Sequence, residues 1–189
     1  MSFNLVFSEE MIKSEYKKII DIDYSKEVIK HMKERTNKIQ EKNKEYKYLE
    51  VDCTELEKEF KDENDKFDVV IDKATLDSIM CKDENGKAKA KEYLEGVCKV
   101  LKDNGIFILI SYKPYKERMK TIFDSNGVKG LIPQECWAIK KETVTRKISL
   151  DNPSDQIYFH YVYKFIKTDP KQEMPADVKL ERYPKNEIN

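Results

Sequence analysis

FDVVIDKATLDSIM, residues 67 to 80, decides the fold. Val69, Val70 and Ile71 are β-branched and lie between polar stretches, the pattern of a buried strand. ATLDSIM after it reads as a helix. Between the two stands Asp72-Lys73, a pair of opposite charges at the carboxyl end of an apolar strand. In sheets of parallel strands, ligands sit beyond that end.

Strand and helix alternate on either side of this stretch. KIIDID (18 to 23) reads as a strand, and Ser25 caps a helix in which Val28, Ile29, Met32 and Ile39 fall near one face. YKYLEVD (46 to 52) is the next strand, followed by the polar, helix-like TELEKEFKDENDK. Downstream, Tyr93, Leu94, Val97, Val100 and Leu101 recur at helical spacing, with Lys102 in the last turn and Gly105 placed to end the helix. IFILISY (106 to 112) is nearly all apolar, as a parallel strand covered on both faces should be, and Pro114 starts the helix PYKERMKTIF. Near the amino terminus, Ser8 is placed to cap a helix from about residue 9, with Phe7 and Ile12 as its hydrophobic staple and FNLVF as an abbreviated strand before it.

After Gly127 and Gly130 the pattern changes. ETVTRKISL (142 to 150) and IYFHYVYKFIK (157 to 167) read as antiparallel strands joined by the turn-forming DNPSDQ. The expected fold is therefore an α/β three-layer sandwich with a mainly parallel sheet and an antiparallel final strand, spanning residues 1–167. Residues 168–189, with Pro170, Pro175 and Pro184, read as a tail.

Composition narrows the function. A chain of 189 residues, 39% hydrophobic, is expected to build one core. Charged residues make up 38%, but 36 Lys plus Arg balance 36 Asp plus Glu, so no global field draws nucleic acid or an anionic membrane. Cys53, Cys81, Cys98 and Cys136 show no CxxC spacing, and His31 and His160 are the only histidines, so no metal site is expected. Reduced thiols, no leader-like start and no apolar run of spanning length point to a soluble, cytoplasmic protein.

Three expected strands end in an acidic residue: Asp23, Asp52 and Asp72. Each can cap the next helix. Each can equally face a ligand at the rim: the two oxygens of one carboxylate suit the adjacent hydroxyls of a ribose at Asp23, and Asp52, followed by Cys53, can accept from an adenine amine.

IIDIDYSKEVIKHMKE, YLEVDCTEL, FDVVIDKATLDSIM, LEGVCKVLKDNGIFILISY and FHYVYKFIK, in this order and spacing, resemble the class I S-adenosylmethionine-dependent methyltransferases. The resemblance is strongest to the branch of protein-lysine methyltransferases acting on translation elongation factor 1A, which show Asp-Lys-Gly-Thr-Leu-Asp where this chain has Asp72-Lys73-Ala74-Thr75-Leu76-Asp77. It covers residues 5 to 167. It implies S-adenosylmethionine as methyl donor, with Asp23 at its ribose, Tyr24 among the donor-binding residues, Asp52 and Cys53 at its adenine, and Asp72 at the strand end flanking the transferring methyl group. It also implies a protein substrate and a lysine acceptor, whose ammonium Asp72 or Asp77 would orient and help deprotonate. Lys73 reads more simply as an ion-pair partner.

The resemblance also implies a first strand ending in a glycine-rich turn. No glycine precedes Gly86, and only MSFNLVF stands before the segment matching the first helix. Two readings follow: an amino-terminally shortened methyltransferase, or a methyltransferase-like pseudoenzyme serving as a binding or assembly subunit. A nucleic-acid methyltransferase lacks support, because no Asn/Asp-Pro-Pro-aromatic run follows the Asp72 strand.

Overall fold

A computed structural model of the chain describes residues 4–14, 16–37, 45–81, 85–122, 137–145 and 159–167. The chain divides into two compact units, Met1–Glu59 and Phe60–Asn189.

In the first unit, α1 (Asn4–Lys13) leads into β1 (Lys18–Asp23), α2 (Lys26–Thr36) and β2 (Glu45–Glu50), followed by a 3-10 turn at Cys53–Glu55 and one turn of helix, α3 (Leu56–Glu59). β1 and β2 pair in parallel, from Lys18 opposite Glu45 to Asp23 opposite Glu50. Ser25 caps α2, accepting from the Val28 amide at 3.4 Å. Ile12, Ile29, Met32 and Tyr48 form the buried cluster on which Ile19, Val28 and Tyr46 pack. Ile39 lies outside the described residues.

The amino terminus departs from the sequence reading. FNLVF forms no strand from Asn4 onward, because α1 already starts there, and Ser8 is an interior helical residue rather than a cap. Ser8 is buried and its hydroxyl donates to the Asp21 carboxylate of β1. A hydroxyl with a partner outside the helix does not compete with helical hydrogen bonds, so the helix runs through it.

The second unit contains β3 (Phe67–Lys73), α4 (Thr75–Met80), α5 (Gly86–Val100), β4 (Leu101–Ser111), α6 (Tyr115–Ile122), β5 (Trp137–Thr145) and β6 (Phe159–Lys167). Its sheet has the order β3-β4-β6-β5. β3 and β4 are parallel; β6 runs antiparallel to both β4 and β5. The parallel pairing and the antiparallel final strand are those expected, with β5 starting earlier than read, at Trp137. The inward face of α5 is Ala90, Tyr93, Leu94, Val97 and Val100, all buried, and Phe107 stacks on Phe165 across the β4–β6 pair with ring centroids 5.5 Å apart.

Lys102 and Gly105 do not end α5. The helix stops at Val100 and β4 begins at Leu101, with a register shift that sets Phe67 opposite Leu101 but Val69 opposite Ile106. Residues 102 to 105 bulge out of the ladder, Asn104 takes a left-handed φ of 62°, and Lys102 pairs with Asp68 at 2.8 Å. Glycine is required in that bulge for space: a Cβ on Gly105 would lie 2.7 Å from the Lys102 carbonyl oxygen.

Candidate active site

In the first unit, Asp23 and Asp52 lie at the carboxyl ends of two adjacent parallel strands. The Val51 amide donates to the Asp23 carbonyl at 3.1 Å and ties the strand ends together. Asp23 Oδ1 accepts from the Ser25 amide at 2.8 Å, which leaves Oδ2 with no hydrogen-bond donor among the described residues. Asp52 is exposed, and its Oδ1 accepts from the Thr54 amide at 2.9 Å and the Thr54 hydroxyl at 2.8 Å. Tyr24, between Asp23 and the helix cap, is 76% exposed; Cys53 is half-buried. The cap reading thus holds at Asp52, which caps the 3-10 turn, but not at Asp23, which receives the amide of Ser25, itself the cap of α2.

In the second unit, Asp72 is the penultimate residue of β3 and is 1% exposed. It accepts from the Thr75 amide at 2.7 Å, the Leu76 amide at 3.0 Å and the Tyr93 hydroxyl at 2.9 Å, serving as the cap of α4. Burial pushes its carboxyl above the ordinary value, against the opposing pull of those hydrogen bonds. The chain can make this contact because Ala74 adopts φ 65° and ψ 10°, turning the backbone so that the α4 amides point back at Asp72. The Ala74 amide itself donates to the Ile110 carbonyl of β4 at 3.0 Å.

Asp77, in the first turn of α4, is 2% exposed and accepts from the Ser111 hydroxyl at 2.8 Å, the Tyr112 amide at 3.2 Å and the Arg118 guanidinium. Arg118 also donates to Ser111 Oγ at 2.9 Å, and burial lowers its pKa. As arranged here, the Asp72 and Asp77 carboxyls are enclosed in protein contacts rather than presented to an incoming ammonium. Lys73 is half-buried and has partners of its own.

Arg118, Ser111, Tyr93 and Tyr112 complete this rim and did not stand out in the sequence. One signal was present: Met119 and Ile122 mark the inward face of α6, and Arg118 stands one turn before Ile122. Among the described residues no cluster of three or more His, Cys, Asp or Glu is placed to hold a metal ion. No helix among them is long and apolar enough to cross a membrane.

A family model described as a methyltransferase domain matches residues 3–170. This chain belongs to that methyltransferase family. Relatives of the domain include the eEF1A lysine and N-terminal methyltransferases of Mus musculus, 28% identical over 87% of this chain, and of Bos taurus, 34% identical over 75% of it. The matched segments are 22% and 18% of those proteins, so the chain spans about a fifth of the curated relatives' length. Among solved structures, the domain is similar to the N-methyltransferase NodS from Bradyrhizobium japonicum in complex with S-adenosyl-l-homocysteine, with a TM-score of 0.55 at 13% identity over 86% of this chain and 72% of that one. A SAM-dependent methyltransferase from Methanosarcina mazei gives 0.54 at 13% identity, over 85% and 86%. At such identity the likeness is one of fold, and the fold of the methyltransferase domain is that of class I methyltransferases.

Proposed function

We propose that the methyltransferase domain binds S-adenosylmethionine and transfers its methyl group to an amine of a protein, with a lysine of translation elongation factor 1A as the acceptor and the cytoplasm as the setting. One observation carries the donor half: Asp23 and Asp52 stand at tied, adjacent strand ends, and Asp23 keeps an oxygen without a donor beside the exposed Tyr24. That donor-poor carboxylate fits a diol, which brings two hydroxyl donors. Asp23 and Tyr24 would hold the ribose, and Asp52 and Cys53 the adenine. The acceptor half is supported by the names of the relatives, both of which act on protein amines.

S-adenosylmethionine, when bound, supplies an activated methyl group, so the protein's work is to hold donor and acceptor in line and to admit an amine that has lost its proton. Asp72 serves this by fixing the β3–α4 turn, and Asp77 by fixing the residues after β4. Their enclosure favours positioning over direct contact with the amine. It also favours a second reading, in which the domain is a methyltransferase-like binding or assembly subunit that has kept the scaffold without the transfer.

The experiment is calorimetric titration with S-adenosylhomocysteine, followed by methyl transfer from S-adenosylmethionine to purified elongation factor 1A. Replacing Asp23 with Ala should weaken donor binding by roughly tenfold to a hundredfold, the worth of one or two hydrogen bonds to a charged group. Binding untouched by Asp23→Ala would overturn the ribose assignment, and donor binding without transfer would favour the subunit reading.

A further inference from the structure

The turn that follows β4 is held from several directions by buried groups. The Tyr112 amide donates to Asp77 Oδ2 at 3.2 Å, the Lys113 amide to Ser111 Oγ at 3.0 Å, and the Tyr163 hydroxyl donates to the Lys113 carbonyl at 2.7 Å. Asp77, Ser111 and Tyr163 are each buried, and Arg118 braces Asp77 and Ser111 from α6. A buried ion pair adds little net stability over an apolar core, so what this network chiefly supplies is position.

What it positions is an exposed aromatic ring. Tyr112 is 47% exposed at the carboxyl end of β4, beside the strand end that carries Asp72. Its hydroxyl lies 3.3 Å from Cys81 Sγ, which fixes the rim of the ring. Lys113 Nζ stands 5.7 Å from the ring centroid while also bonding Glu117 Oε2 at 3.2 Å. The ring therefore already carries an ammonium within cation–π range, and that ammonium is on a flexible, half-exposed stem.

We propose that the Tyr112 ring is the surface on which the amine-bearing side chain of the methyl acceptor docks, with Lys113 as its intramolecular competitor. The inference rests on the reading of this domain as an amine methyltransferase and adds to it a residue on the acceptor side. The π face attracts the ammonium of an arriving lysine, and the ring body covers its methylenes. Lys113 contributes in the opposite sense: its charge beside the same ring disfavours the protonated acceptor, and the neutral amine is the form with a lone pair to attack the methyl group.

The test needs a readout that does not depend on turnover. N-acetyl-lysine methylamide is titrated into the full chain and followed by NMR at the Tyr112 ring and the neighbouring amides of Cys81 and Lys113. Lys113→Gln should tighten the response about twofold to fivefold, the worth of one exposed cation–π contact. Tyr112→Phe should keep the response, and Tyr112→Leu should abolish it. With elongation factor 1A as acceptor, Tyr112→Leu should raise KM with kcat little changed, because the ring binds and does not react, whereas Lys113→Gln should lower KM and kcat together, because the tighter-bound acceptor is then the protonated one. Equal midpoints in the unmutated chain, Lys113→Gln and Tyr112→Leu would overturn the proposal. Titration with S-adenosylhomocysteine separates the two claims: its failure in the unmutated chain sinks the enzymatic reading, while a lysine response that depends on Tyr112 still supports the docking surface.

Discussion

Asp77 and Arg118, 41 residues apart, form an ion pair in which each side chain is only 2% exposed, with Ser111 hydrogen-bonded to both. The pair joins α4 to α6 at the carboxyl end of β4. Neither charge has water to fall back on, so the cost of losing one partner is the cost of stranding the other.

Replacing Arg118 with Met should therefore destabilise the protein by about 3 to 5 kcal/mol, as breaking a buried pair does. The double replacement Arg118→Met with Asp77→Asn should cost clearly less than the sum of the two single changes. Urea denaturation of the three variants measures this, and strict additivity would show that the charges do not depend on each other.

Ala74 holds φ 65° where a glycine would meet no Cβ penalty. Ala74→Gly should stabilise the fold by about 0.5 to 1 kcal/mol, less than the full left-handed cost because glycine loses more freedom on folding. A lower urea midpoint for the variant would contradict this.

Gly105→Ala should act in the opposite direction. The added Cβ meets the backbone oxygen of Lys102 at 2.7 Å, and backbone cannot yield as a flexible side chain can. A loss of about 1 to 3 kcal/mol is expected, the usual cost of overpacking. Thermal unfolding checks it, and an unchanged midpoint would mean that the bulge at residues 102 to 105 rearranges freely.

Asp21 gives a pH dependence with a definite sign. Burial, first, pushes its carboxyl up from 3.8, with the Ser8 hydroxyl opposing and the Asp23 charge adding to the rise. A carboxyl raised in the folded state stabilises most below its unfolded pKa, and that contribution is lost as pH rises through the folded value. Asp21→Asn, which can still accept from Ser8, should therefore be at least as stable as the unmutated protein at pH 7, and its relative advantage should shrink toward pH 4. Matched urea titrations at the two pH values decide it; an Asn variant uniformly weaker at both would show that the ionised form is the one the fold prefers.

Most element types were legible in the sequence, the exception being the start of α1, where FNLVF reads as a strand. Period-two and unbroken apolar runs marked β1, β3 and the apolar half of β4, and period 3.6 marked α2 and α5, because burial of one face is a local constraint that recurs along the chain. The strand-end acids Asp23, Asp52 and Asp72 were legible for the same reason: a charge that closes an apolar run is visible without any partner. Tertiary structure decided what those charges meet. Ser8 reads as a cap until Asp21 receives its hydroxyl, and Gly105 reads as a helix stop until the β3–β4 register places Lys102 beneath it. Asp77 reads as a free rim carboxylate until Arg118 arrives from 41 residues away. Contacts between distant residues leave no periodic trace in the chain, so the turn that presents Tyr112 could be found only in three dimensions.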